Sequence, residues 1–339
     1  MYGRDVEEIE FKFQQKLNEI KAAGKQVPKQ KHTVTLSEFF ETIYLPYKKN
    51  QKRKENTING IIYNFSYIVK QGFDKPMNAY TPQKIEEFLF SIQLTRKRQL
   101  MQGLLNNIFK RAVLSSVIKT NPCAVIERMI HKSVRGTALT FREQAEYFKL
   151  VFSSKNLSHS LKCYFAFVYL TGTRRTEALA ANVNDIDGDT LKINGTKTDG
   201  SLRYIPLTPL VKKLLDSVEP VKGKYFPYAG KTVDEIFYEN NKLLKFKHKL
   251  HDLRHTFGTI QICVRKIDVK TVSLWLGHST IDTTLRIYTH PEQLDRATFL
   301  SGTLQENEKN AILLSQYQRV IYIIEDYLSS YTQNLPKKP

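Results

Sequence analysis

The stretch HDLRHTFGT, residues 251–259, places two histidines and an arginine close together. His251 and Arg254 stand three positions apart, so in a helix they share a face, whereas His255 points elsewhere. A permanent cation beside a titratable imidazole fits a solvated or DNA-facing helix end, but it also fits a pocket that handles charge and protons. The rest of the chain decides between these interpretations.

The charge balance of the chain favours a polyanionic partner. Lysine and arginine number 52 against 33 aspartates and glutamates, which gives a net charge of +19 and a pI near 9.6. Basic side chains that neutralise phosphates release counterions, so such an excess favours nucleic-acid binding. A ribosomal protein, a nuclease or a membrane-surface protein would share the excess, and composition alone leaves these classes open.

Cysteine usage and the chain start give expectations about the compartment. Cys123, Cys163 and Cys263 are far apart and form no CxxC pair, so neither a disulfide framework nor a zinc site is predicted. The start MYGRDVEEIE lacks the apolar segment of a secretory signal, and no apolar run approaches the roughly 20 residues that span a bilayer. We therefore expect a soluble, cytoplasmic, nucleoid-associated protein with no membrane partner.

The sequence predicts a mainly α protein with a small β-sheet. We expect an N-terminal helix and linker over residues 1–30 and a basic all-helical domain over 31–132, whose first helix Ser37 would cap. A mixed α/β domain is expected over 133–300, with a hairpin formed by TLKI and LRYIPL within 187–207. A strongly amphipathic tail helix is expected within 301–339.

Four separated motifs point to one chemistry. They are TGTRRTEALA (171–180), GTKTDGSLR (195–203), HDLRHTFGT and LGHSTIDTTLRIYTH (276–290). In this order and spacing they resemble the signature of the tyrosine recombinase, or phage integrase, family. The basic helical domain before them is similar in kind and position to that family's core-binding domain. The resemblance implies a catalytic set without metal or cofactor: Arg174, Lys197, His251, Arg254, His278 and Tyr288.

The chemistry of these side chains agrees with transesterification of a DNA phosphodiester. Tyr288 offers a phenolic oxygen that can form a covalent 3′-phosphotyrosine, and Arg174 and Arg254 offer planar charged forks to the non-bridging oxygens. Positioned donors of this kind are worth about 3 kcal/mol each. By resemblance, Lys197 would protonate the leaving 5′ oxygen. His251 would assist proton transfer at the tyrosine, and His278 would hydrogen-bond the phosphate.

Several neighbours compete for these roles or have two interpretations. Arg175 rivals Arg174, Lys192 rivals Lys197, and His255 rivals His251, although the family spacing selects the second member of each pair. His255 is accordingly expected to be structural. Two further side chains have open roles: Glu177 either orients Arg174 or faces solvent, and Trp275 belongs either to the core or to the site.

The partners implied are duplex DNA core sites and further copies of the chain. A run of cations and a long basic helix are expected to contact phosphates. They are Lys48, Lys49, Lys52, Arg53, Lys54, Arg96, Lys97, Arg98, Lys110 and Arg111. We expect a homotetramer on two DNA sites, with tail helices exchanged between protomers and a directionality factor or DNA-bending protein as a further partner. The short N-terminal segment implies core-site recognition alone or an additional upstream arm-binding module.

These patterns together predict a site-specific recombinase, an integrase of a phage or conjugative element that acts through a Holliday junction. A Xer-like resolvase of chromosome or plasmid dimers is the alternative within this class. A type IB topoisomerase shares the chemistry but acts as a monomer. A DNA-binding regulator with an inactive site is disfavoured by the intact set of six residues.

Overall fold

The chain divides into two compact units, residues 1–134 and 135–339, in a computed structural model. The structure describes residues 34–131, 136–195, 202–288 and 290–333. The helix and linker expected over residues 1–30 therefore lie outside the described residues. No helix within these described ranges is long and apolar enough to cross a membrane.

The N-terminal unit is helical. Helix α1 starts at Leu36–Phe39, continues through a π-helical turn at Phe40–Tyr44 and ends with Leu45–Asn50. Its cap is Thr35, whose hydroxyl accepts from the Glu38 N–H while the Glu38 carboxylate accepts from the Thr35 N–H. The expectation of a Ser37 cap is wrong because that reciprocal pair begins two residues earlier.

Three further helices complete the core of this unit. They are α2 (Glu55–Lys70), α3 (Pro82–Ser91) and α4 (Thr95–Leu114). Buried Ile68, Leu89, Leu105 and Ile108 pack in one apolar cluster. Helix α4 ends at Leu114, and two residues later Ser116 adopts a left-handed φ of 56° that a continuing helix does not allow.

The second unit surrounds a small sheet with helices. Its helices are α5 (Phe141–Ser153), α6 (His159–Thr171), α7 (Arg175–Ala180), α8 (Pro209–Asp216), α9 (Gly230–Leu243), α10 (Leu250–Thr259, extended by a π-helical turn at Ile260–Val264), α11 (Val269–Leu276), α12 (Ile281–Tyr288), α13 (Arg296–Leu300) and α14 (Glu306–Gln333). Helix α6 is buried along nearly its whole length. Its apolar sequence therefore forms the centre of the unit.

The sheet has three antiparallel strands in the order β1 (Ile186–Asp187), β2 (Thr190–Ile193) and β3 (Arg203–Pro206). The predicted pairing of TLKI with the strand that follows is found, with Leu191 opposite Ile205 and Ile193 opposite Arg203. The mainly helical fold with a small sheet is confirmed. Strand β1 was not anticipated, because two residues carry no alternating pattern.

The tail helix α14 packs on its own unit in this structure. Its buried Leu313, Val320, Ile324 and Leu328 join the same apolar core as α5 and α8. Near its C-terminal end, Tyr327 stacks on Phe152 with ring centroids 4.2 Å apart. The apolar stripe read from the sequence is thus covered within the single chain, and exchange between protomers stays a prediction.

Candidate active site

The C-terminal end of α11 gathers three arginines. The carbonyl oxygens of three successive residues, Trp275, Leu276 and Gly277, accept hydrogen bonds from Arg203, Arg254 and Arg174, at 2.6, 2.5 and 3.0 Å. The last carbonyls of a helix have no partner within the helix and carry partial negative charge, so guanidinium groups stabilise them. Each arginine comes from a different segment, and α11 is their common point of attachment.

Gly277 is needed at this helix end. Its φ of 63° is left-handed, and a Cβ there would come within 3.0 Å of the Arg203 Cδ. Glycine therefore allows the chain to turn out of α11 while an arginine packs directly against the backbone. This is the physical basis of the glycine in the LGH motif.

Arg174 is fixed from two sides. Its backbone N–H donates to the Glu177 Oε2 at 2.7 Å, and its guanidinium donates to the Glu177 Oε1 at 2.8 Å. Its other terminal nitrogen reaches the Gly277 carbonyl, while about a third of the side chain remains exposed. Arg175 instead pairs with Asp234 on α9. Of the two adjacent arginines, only Arg174 lies in the cluster.

Arg254 is the most enclosed of the three. It is 1% exposed and also donates to the Gly172 carbonyl at 2.8 Å. Desolvation and neighbouring arginines lower its pKa to about 10, which leaves it charged at neutral pH. Its Nη2 lies 3.1 Å from the His278 Nε2. Because arginine has no acceptor, that histidine nitrogen accepts the bond.

His278 is engaged at both ring nitrogens. With Nε2 accepting from Arg254, Nδ1 carries the proton and donates to the Thr284 hydroxyl at 2.8 Å. Desolvation and the nearby arginines lower its pKa to about 3, so the ring is neutral near pH 7. A direct bond from His278 to a phosphate, as the resemblance implies, requires one of these two contacts to open.

Tyr288 lies beside this cluster and is fully enclosed, at 0% exposure. Its ring stacks on His278, with centroids 5.7 Å apart, and a Cβ on Gly258 would come within 2.5 Å of it. Burial raises the pKa of its hydroxyl, and the positive charge of Arg254 offsets part of this rise. The hydroxyl forms no hydrogen bond of ordinary geometry with the described residues. The side chain predicted to be the nucleophile is therefore covered in this structure.

His255 occupies a more central place than the sequence suggested. Its ring is 4.8 Å from that of His251 and 5.6 Å from that of Tyr288, and its Nδ1 is buried without a partner among the described residues. His251 lies at the surface, but its neighbours still remove part of the hydration of its ring, and this desolvation together with adjacent cations lowers its pKa. The pKa of His255 is lowered in the same way. Both are neutral imidazoles near pH 7, and His255 is the one beside the tyrosine.

His248 was missed in the sequence and fixes the start of α10. Its ring nitrogens lie 3.3 Å from the Glu143 carboxylate and 3.4 Å from that of Asp252. Although burial opposes its charge, hydrogen bonds to Asp252 and Glu143 raise its pKa to about 9. A buried cation therefore joins the first turns of α5 and α10, just ahead of His251. The sequence around His248 did not indicate this role, because its partner Glu143 lies on α5, far away along the chain.

The remaining candidates have different outcomes. Lys197 lies in residues 196–201, outside the described residues, and its role stays a prediction. Lys192 lies within β2. Trp275 is half-buried, packs between two apolar clusters and enters the site only through its carbonyl.

The cations of the N-terminal unit divide into groups. Lys49, Lys52, Arg53, Lys54, Arg96 and Lys110 are exposed. Arg98 instead donates to the Ile92 carbonyl at 2.7 Å and so caps the end of α3. Lys48 and Arg111 lie over the Tyr47 ring, 5.2 and 4.2 Å from its centroid. Among the ion pairs of the described residues, none involves these predicted DNA contacts.

In the second unit, which is mainly helical with a small sheet, arginines bind a helix end beside an enclosed tyrosine. This arrangement fits the tyrosine recombinase class that the four motifs predict. The model of the phage integrase family matches residues 139–294, so this segment of the chain is similar to that family. The recognition made from the four motifs is thereby confirmed.

Curated relatives agree with this assignment. The chain is 27% identical over 253 residues to a XerC-like tyrosine recombinase of Caldanaerobacter subterraneus, covering 58% of this chain and 63% of that protein. It is 24% identical over 221 residues to the ICEBs1 integrase of Bacillus subtilis, covering 55% and 59%. The chain thus spans about three fifths of the length of these relatives.

Solved structures show the same fold. A lambda integrase tetramer bound to a Holliday junction superposes with a TM-score of 0.68 at 20% identity, over 86% of this chain and 89% of that one. The Tn1549 transposon integrase in complex with a circular intermediate DNA gives a TM-score of 0.62 at 17% identity, over 76% and 95%. The likeness therefore extends beyond the segment matched by the family model.

Proposed function

We propose that this protein is a site-specific tyrosine recombinase, an integrase of a phage or conjugative element. The observation that carries the proposal is the arrangement of Arg174 and Arg254 on the end of α11 beside Tyr288. Two guanidinium groups can neutralise the non-bridging oxygens of one phosphate, and a phenol can attack its phosphorus. The exposed cations of the N-terminal unit supply contacts to the DNA backbone.

In the proposed reaction, the Tyr288 oxygen attacks the scissile phosphorus as the bond to the 5′ oxygen breaks. The phenolic proton passes to a neutral base, and the 5′ oxygen receives a proton from a general acid, a role we assign to Lys197. The products are a 3′-phosphotyrosine and a free 5′ hydroxyl. The ester bond energy is retained in the phosphotyrosine, so attack by a second 5′ hydroxyl reseals a strand without ATP.

The geometry sharpens two of these roles. His255 is nearer to Tyr288 than the sequence suggested, and its unpartnered Nδ1 can accept a proton, while His251 contacts His255 and can relay it. Because Tyr288 is enclosed, DNA binding has to uncover its hydroxyl before attack. The two ring contacts of His278 identify where this opening would begin.

Assembly on two duplex core sites as a homotetramer is part of the proposal. Support comes from the fold shared with an integrase seen as a tetramer on a Holliday junction. Exchange of α14 between protomers, a directionality factor, a DNA-bending protein and a cytoplasmic, nucleoid-associated location stay predictions. The XerC-like relative supports the alternative of a dimer-resolving recombinase, which shares every step of the chemistry.

A nicked suicide DNA substrate carrying a core sequence from the flanks of the gene tests the proposal. We expect a covalent protein–DNA adduct that is absent in Tyr288→Phe, because only the phenolic oxygen is removed. Persistence of the adduct in that variant would overturn the nucleophile assignment. Site binding without adduct would favour an inactive regulator, and relaxation of supercoiled plasmids lacking the site would favour a topoisomerase.

Integrase and resolvase are separated by a second substrate. A plasmid carrying two directly repeated core sites reports resolution, whereas a pair of plasmids carrying the two flanking sequences of the element reports integration. Efficient reaction of the pair supports the integrase. Reaction confined to the direct repeats favours the Xer-like alternative.

A further inference from the structure

Arg203 occupies a position where a cation is unexpected. It is the first residue of β3, lies opposite Ile193 and is 8% exposed, so it shares the inward face of the strand with Ile205. Burying a guanidinium is costly unless charge and hydrogen bonds compensate for the lost hydration. The contacts of Arg203 therefore indicate what it is held there to do.

The three hydrogen bonds that Arg203 forms with the described residues all lead to segments of the candidate active site. Its two terminal nitrogens donate to both oxygens of Glu177, at 3.0 and 2.7 Å, in a bidentate pair. Its Nε donates to the Trp275 carbonyl at 2.6 Å. One side chain on β3 thus joins the first turn of α7 to the last turn of α11.

Glu177 is shared between two arginines. Its carboxylate accepts from Arg203 and also from the backbone and side chain of Arg174. Desolvation raises its pKa, but bonds from Arg203 and then from Arg174 outweigh this and hold it at about 2. The carboxylate is therefore an anion that both arginines orient.

We infer that Arg203 is a positioning residue that sets the placement of Arg174 and Arg254 toward the scissile phosphate. It acts on Arg174 through the shared Glu177 carboxylate, and on both arginines through the end of α11, whose next two carbonyls hold them. This inference rests on the proposed function, since it names a residue that serves the phosphate pocket without touching substrate.

A conservative change separates this role from simple stabilisation. Lysine at 203 keeps the charge, but it cannot form the two parallel bonds to Glu177 together with a third to Trp275. A less firmly held Arg174 would then be displaced from its position against the phosphate. Misplacement by about 1 Å can lower the rate about 100-fold. The folded core should survive, because the strand and its apolar neighbours are unchanged.

The test measures single-turnover adduct formation on the nicked suicide substrate with protein in excess. For Arg203→Lys we expect a rate constant about 100-fold lower at unchanged final amplitude and unchanged DNA affinity. Glu177→Gln should show the same pattern, since it breaks the same link. The matched control is Arg142→Lys, an exposed arginine of the same unit whose side chain is 86% accessible, and it should react like the unmodified protein.

A methylphosphonate at the scissile position gives a second readout, because it removes the negative charge that the arginines meet. The rate deficit of Arg203→Lys should be much smaller on this substrate than on the phosphate. Equal deficits on both substrates, a loss of amplitude alone, or an unchanged rate would overturn the positioning role. Absence of any adduct with the unmodified protein, or an adduct that persists in Tyr288→Phe, would instead count against the proposed function itself.

Discussion

The second unit and the N-terminal unit use the same cationic residue types in opposite ways. Arg174, Arg203 and Arg254 are tied to the end of α11, whereas Lys52 and Lys54 are exposed and form no ion pair among the described residues. Cations fixed in advance cost no reorganisation when charge develops on a phosphate. Exposed cations are ordered only when DNA binds, and their attraction is screened by salt. The first set should therefore control the rate of cleavage and the second the salt dependence of binding.

The largest effect should come from Arg174, and its neighbour Arg175 should show little effect. Replacing Arg174 by lysine removes a fork that is already directed by Glu177 and Gly277, so adduct formation should slow by about 100- to 1000-fold. Arg175→Lys is the control, because Arg175 pairs with Asp234 outside the cluster and should retain most of the rate. Single-turnover kinetics on the suicide substrate measures both. Similar losses in the two variants would contradict the division between fixed and peripheral cations.

The buried cation His248 extends the comparison of fixed and exposed cations from reaction rate to folding stability. The pKa of His248 is raised to about 9 by Asp252 and Glu143, so its contribution is complete below the unfolded value near 6.5 and disappears as pH rises through 9. Removing one partner of a buried ionic group is costly, and His248→Gln should lower the free energy of unfolding by about 3 kcal/mol at pH 6. Denaturant unfolding from pH 6 to pH 10 measures the difference.

The difference between the unmodified protein and His248→Gln should shrink toward the upper end of that pH range. His290→Gln is the matched control, because the side chain of His290 is 43% exposed and contacts only the Glu292 carboxylate and the Arg286 carbonyl among the described residues. Its unfolding curve should follow that of the unmodified protein. A His248→Gln deficit that is constant across the range would show that the imidazole contributes by packing rather than by charge.

Sequence motifs predicted which residues lie together at the candidate site better than they predicted the residues that hold those side chains in place. The spacing in HDLRHTFGT and the LGH segment placed Arg254 and His278 together, and they lie 3.1 Å apart. Arg203 was readable in principle, because it alternates in phase with buried Ile205. Its partner Glu177 could not be read, since 26 residues separate them and only the folded sheet brings them into contact.

The enclosed state of Tyr288 was likewise out of reach of the sequence. Tyr288 follows the LGH segment at the expected spacing, but its burial depends on Gly258 and His278, which belong to other elements. His255 shows the same limit. The expectation that it points away from His251 was wrong, because residues four apart share a helix face and the two rings lie 4.8 Å apart. Periodicity also gave no sign that α12 brings the tyrosine to that face. Tertiary packing, rather than local pattern, decides which side chains surround Tyr288.

A smaller effect is expected at the helix end that holds the arginines. Gly277→Ala adds a left-handed penalty and crowds Arg203, whereas Gly188→Ala adds the penalty alone, because nothing lies within 4 Å of a Cβ there. Each should lose about 1–2 kcal/mol of unfolding free energy from the φ value. Only Gly277→Ala should also slow adduct formation. Unimpaired cleavage in that variant would indicate that the end of α11 tolerates displacement of Arg203.

The smallest effect should fall on binding alone, in the N-terminal unit. Arg111 lies over Tyr47 beside Lys48, whose pKa is lowered by desolvation and by the charges of Arg53 and Arg111. A phosphate would relieve this repulsion, so Arg111→Gln should reduce the slope of log K against log salt by about 1. Lys119→Gln, an exposed cation of the same unit outside the predicted set, should leave the slope unchanged. The rate constant at saturating protein should not change in either variant. A fall in that rate for Arg111→Gln would show that the two sets of cations are coupled, because a purely screened contact cannot alter the chemistry of DNA that is already bound.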